Sequence, residues 1–78
     1  MKLIVDSGAF YLEEKGARVS LSPSDLKLFK QMTPMGRKIT LRKRAIEKMA
    51  AHPNDPEAHL IISLFHLPAY EWSFIVPD

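Results

Sequence analysis

The stretch Val19–Met49, VSLSPSDLKLFKQMTPMGRKITLRKRAIEKM, decides how this chain folds. Ser22 stands before Pro23, and Asp25 follows three places after Ser22. That order supplies an N-cap hydroxyl, a proline at the first helical position and a carboxylate that can reach back to the cap. Leu26, Leu28, Phe29 and Met32 then recur at helical spacing. Thr33-Pro34-Met35-Gly36 reads as a stop followed by a turn. Thr40 is placed to cap a second helix with an apolar stripe of Leu41, Ala45, Ile46 and Met49. The stretch predicts two short amphipathic helices in a helix-turn-helix-like pair.

Towards the N-terminus, Lys2–Val5 is aliphatic and β-branched, and Asp6-Ser7-Gly8 is turn chemistry. Ala9–Leu12 is a second strand, closed by the polar turn Glu13-Glu14-Lys15-Gly16. Ala17–Leu21 alternates, with Val19 and Leu21 on one face and Arg18 and Ser20 on the other. Three short strands with tight connections predict an antiparallel sheet.

Towards the C-terminus, His52-Pro53-Asn54-Asp55-Pro56 ends the second helix and starts a third, with Asp55 as cap and Pro56 at the first position. Glu57–Leu67 is apolar nearly all round; only His59, Ser63 and His66 form a polar stripe. Such a helix belongs in the core. Pro68 stops it, and the alternation through Tyr70–Val76 predicts a final strand or a short hairpin. The expected fold is α+β: one domain over residues 1–78, an N-terminal antiparallel sheet, three helices and a short C-terminal strand or hairpin. Leu26, Phe29, Ile46, Met49, Ile61, Leu64 and Phe65 are its expected core.

Composition sets the bounds. A 78-residue chain without cysteine has neither a disulfide staple nor a thiolate metal site, so its core comes from packing alone. The apolar run of MKLIV before Asp6 is too short for a signal peptide, and no run reaches the ~20 apolar residues that span a bilayer. The expected setting is cytoplasmic, with no membrane contact. Charge is lopsided: residues 1–50 carry all 11 Lys and Arg against five acids, a net of +6. Residues 51–78 carry four acids and no Lys or Arg, a net of −4. Such asymmetry points to a charged partner.

Strands followed by Leu21-Ser22-Pro23-Ser24-Asp25-Leu26-Lys27-Leu28-Phe29 and by Gly36-Arg37-Lys38-Ile39-Thr40 form a pattern with a family counterpart. Over residues 1–50 it resembles the winged-helix effector domain of OmpR/PhoB-type response regulators, which opens with an antiparallel sheet and carries a Leu-Thr/Ser-Pro-x-Glu motif at its first helix. The resemblance implies a winged-helix-like scaffold and a transcription regulator that binds DNA. The second half departs from that family. Its third helix has no Lys or Arg, and no glycine follows Trp72 to build a wing. The family's reading of the major groove therefore has no matching residues here.

Arg37, Lys38, Arg42, Lys43, Arg44 and Lys48 form the densest basic cluster, five of them within eight positions. A cationic patch at a helix start suits phosphate contact, so these six are the expected nucleic-acid-binding residues. His59, Ser63 and His66 are the candidate contacts on the third helix. His52, His59 and His66 recur every seven residues, but an i, i+7 pair on one helix is ~10.5 Å apart, too far for one ion with bonds of ~2 Å. No metal, cofactor or catalytic constellation is expected. The rival class is a protein-interaction adaptor or inhibitor on the same scaffold, binding another regulator or an acidic protein surface. A homodimer through spare apolar positions of the third helix is a variant of it.

Overall fold

A computed structural model describes residues 1–77. Strands β1 (Lys2–Asp6), β2 (Ala9–Glu14) and β3 (Ala17–Leu21) form an antiparallel sheet in sequence order. Helices α1 (Pro23–Lys30), α2 (Pro34–Ala51) and α3 (Pro56–Leu64) follow, then a 3-10 turn over Ala69–Trp72. The expected α+β class, with the sheet first and three helices after it, is what the chain adopts.

Both hairpins close through two residues at positive φ: Ser7 at 52° with Gly8 at 83°, and Lys15 at 50° with Gly16 at 82°. Paired left-handed residues match the right-handed twist of the strands they join, and glycine bears that geometry without a Cβ clash. Glu13 and Glu14 therefore belong to β2, paired with Arg18 and Ala17, rather than to the turn. Leu12 lies opposite both Leu3 and Val19, so these three share the inner face of the sheet.

All three helices start with the same device, a short polar cap before a proline. At α1 the cap is reciprocal: Asp25 N–H donates to Ser22 Oγ at 3.1 Å, and Ser22 N–H donates to Asp25 Oδ2 at 2.9 Å. At α3, Ala58 N–H donates to Asp55 Oδ2 at 2.8 Å. The second helix departs from expectation. Thr33 is its cap, accepting from Gly36 N–H at 3.1 Å, so the residues read as a turn are its first helical turn. Proline at the first position costs nothing there because its missing N–H would be unpaired anyway. Gly36 suits the cap, since a Cβ would sit 3.3 Å from the Thr33 hydroxyl. Thr40 lies inside the helix, its hydroxyl 3.7 Å from Met32 Sδ.

That earlier start extends the buried side of α2 back by one turn to Arg37. Its inner stripe is Arg37, Leu41 and Ala45, while Ile46, expected in the core, is 44% exposed. Leu12, Phe29, Leu41, Ala45, Ala58 and Trp72 are fully enclosed. From the expected core, Leu26, Phe29, Ile61 and Leu64 are buried, and Met49 packs against them.

The C-terminal segment is not a strand or hairpin. Pro68 carbonyl accepts from Glu71 N–H at 3.0 Å, Tyr70 carbonyl accepts from Ser73 N–H at 3.2 Å, and the turn drives Trp72 into the core. From Trp72 onward the alternation survives as burial: Trp72, Phe74 and Val76 face inward, Ser73 and Ile75 outward. Among the described residues, no strand of the sheet pairs with it. The N-terminal ammonium ties the two ends of the chain, with Glu14 and Glu71 carboxylates each at 2.9 Å. Among the described residues, no helix is long and apolar enough to cross a membrane.

Candidate functional site

The six basic residues singled out by sequence all lie on α2, yet they do not form one open patch. Arg37 must be withdrawn from the phosphate-contact set. It is 7% exposed, because the helix begins at Pro34 and so turns position 37 inward. Its Nε donates to Phe29 O at 2.8 Å, and one terminal nitrogen donates to Trp72 O at 2.7 Å and Phe74 O at 3.0 Å. The guanidinium also lies 4.7 Å from the Phe74 ring centre, and burial holds its pKa below the usual arginine value. Arg37 is thus an internal staple joining the end of α1, the start of α2 and the C-terminal segment.

Four of the others have intramolecular partners at the surface. Arg44 pairs with Asp25, and Lys48 lies 3.5 Å from Asp55, so each meets the carboxylate that caps a neighbouring helix. Lys38 Nζ lies 4.6 Å and the Arg42 guanidinium 4.8 Å from the centre of the Phe65 ring. Two cations one helical turn apart therefore share one aromatic face, within the ~6 Å reach of a cation–π contact. Lys43 is exposed.

Asp25 reports on this arrangement through pH. Burial pushes its carboxyl up, but the Arg44 hydrogen bond, the Ser22 N–H and the Arg44 charge outweigh burial and leave it below the ordinary value. A folded-state pKa that is depressed adds stability above the unfolded value of ~3.9, which is lost as pH falls through the folded value. Asp25→Asn is expected to cost about 1 kcal/mol at neutral pH. In denaturation series between neutral pH and pH ~2, the gap between the two proteins should close once pH drops below ~4.

The third helix offers less than its sequence promised. The Ser63 hydroxyl donates back to Leu60 O at 2.6 Å, and His59 Nε2 lies 2.6 Å from Pro53 O. His66 falls beyond the last residue of α3. These three do not form a continuous reading face. The spare apolar positions of α3 are also absorbed: Ala58, Ile61 and Leu64 are buried, and Leu60 and Ile62, with Leu67 just beyond the helix, pack on them.

Of the exposed large apolar residues, three lie together on α2. Met35, Ile39 and Ile46 are 47%, 53% and 44% exposed. At 100° per residue they fall within about 40° of arc, opposite the buried stripe. Arg42 borders this strip on one side and Lys43 on the other. Sequence reading missed it because Ile46 was counted as core; the residue spacing itself was visible. Against family models, curated proteins and solved structures, the chain finds no match.

Proposed function

We propose that this domain is a protein-docking module whose contact surface is the outward face of α2. The observation that carries the reading is the half-exposed strip of Met35, Ile39 and Ile46 between Arg42 and Lys43. Exposed apolar residues aligned on one helix face and rimmed by charge mark a contact surface. The rim is cationic, so the complementary partner is an acidic amphipathic surface. A second copy is the poorer fit. Two copies packed antiparallel about the point midway between Ile39 and Ile46 would bring Arg42 and Lys43 of both together.

Duplex DNA is the second reading, favoured by Lys38, Arg42 and Lys43 on the same side of α2. One titration separates them. Isotope-labelled protein is mixed with an acidic amphipathic helical peptide or with random duplex, over a salt series. The docking reading expects peptide-induced shifts centred on Met35, Ile39 and Ile46, lost in the Ile39→Asp/Ile46→Asp variant while its fold persists. Truncation of central contacts of this kind usually costs about 1–4 kcal/mol of binding. If duplex gives the stronger response, with log affinity falling by ~0.9 per phosphate neutralised per decade of salt, the DNA reading replaces it.

A further inference from the structure

Away from α2, the first strand and α1 leave a groove of about 630 Å³, with no α2 residue in its lining. Val5, Phe10, Pro23, Leu26 and Pro77 give it apolar walls, and Lys27, Lys30 and Gln31 stand along α1. No Asp or Glu is among the described residues lining it. The groove exists because the helices pack on the sheet chiefly at β3, leaving the inner face of β1 uncovered at its Val5 end.

The edge beside it is open as well. Asp6 and Ala9 flank a two-residue turn, which makes them a hydrogen-bonded pair. The alternation then bonds Ile4 and Lys2 to β2 and turns the N–H and C=O groups of Leu3 and Val5 away from it. Among the described residues no strand pairs with that edge, and β1 has neither a proline nor a bulge to block one. Val5 is 56% exposed.

We propose that the β1 edge and the groove beneath it are one binding site, which takes an extended acidic segment of a partner protein as a fourth strand. The segment's backbone pairs with Leu3 and Val5. Its alternate side chains drop apolar groups between Phe10 and Leu26, because period-two alternation sends every second residue to the groove side. A carboxylate of the segment meets Lys27 at the rim. Main-chain pairing supplies affinity without sequence preference; the apolar walls and the lysine supply the selectivity.

The probe is a short fluorescein-labelled peptide alternating valine and glutamate, read by anisotropy and by amide exchange. Binding should protect the Leu3 and Val5 amides. Val5→Pro removes an outward N–H and should weaken binding at least about tenfold while β1–β2 pairing persists. Lys27→Glu, on an exposed helix position, should reverse the preference towards a valine–lysine peptide. Ile39→Asp on α2 should leave binding unchanged, which keeps this site separate from the docking strip. Binding that survives both Val5→Pro and Lys27→Glu overturns the proposal. So does absence of binding by either peptide at millimolar concentration, or a response centred on α2.

Discussion

Arg37→Ala is expected to lower the unfolding free energy by about 3–5 kcal/mol, most of the stability of a domain this small. The substitution leaves the carbonyls of Trp72 and Phe74 without a donor and strips Phe29 O of one of its two, the other being Met32 N–H at 3.2 Å, and each buried acceptor left unpaired costs roughly 1–3 kcal/mol. It also strips the cation from the Phe74 ring. Arg37→Lys should recover only part of the loss, because one ammonium cannot reproduce a planar fork reaching both α1 and the C-terminal segment. Urea denaturation followed by the emission of Trp72, the chain's only tryptophan, measures both variants. A loss for Arg37→Ala below about 1 kcal/mol would mean that water satisfies the Trp72 and Phe74 carbonyls.

Trp72→Ala should be comparably severe, at about 3–5 kcal/mol, because the indole is wholly enclosed beneath α2. Trp72→Phe should be far milder. The indole N–H is buried without a hydrogen-bond partner among the described residues, so phenylalanine gives up area but also sheds an unpaired donor. The two variants are compared by thermal unfolding in far-ultraviolet circular dichroism, which needs no tryptophan. Equal losses would show that the ring's nitrogen is satisfied and that its size is not what the core requires.

The order of elements was legible in the sequence because their ends are chemically marked. Ser22-Pro23 with Asp25, and Asp55-Pro56, announce helix starts by side-chain chemistry that tertiary packing leaves intact. Thr33-Pro34 carries the same mark, but Gly36 three residues on disguised it as a turn. That one boundary hid the burial of Arg37, which joins the stripe of Leu41 and Ala45 once the helix extends back to Pro34. The exposure of Ile46 was legible in the spacing, since it lies about 100° from Ala45 on the helical wheel. The C-terminal segment failed differently. Period-two alternation reports which side chains face inward, and it does so whether or not the backbone has a strand to pair with. Trp72, Phe74 and Val76 do share a buried side, while Tyr70, which the same alternation sets with them, is exposed, on a backbone that is a 3-10 turn followed by irregular chain. The basic cluster was legible as composition only. Which cations already have partners depends on Asp25, Asp55 and Phe65, brought close by tertiary packing.

The Arg37 staple has a kinetic meaning. Two-residue hairpins and short interhelical connections let most of the chain find its neighbours locally, which favours rapid ordering. The bonds from Arg37 to Trp72 and Phe74 instead close loops of 35 and 37 residues. Closing loops of that length carries an entropic cost that local contacts avoid, so this latch is expected to close late on the folding route, and interactions absent from the transition state govern the rate of opening. Native lifetime, more than folding speed, is therefore what loss of this one buried guanidinium is expected to shorten.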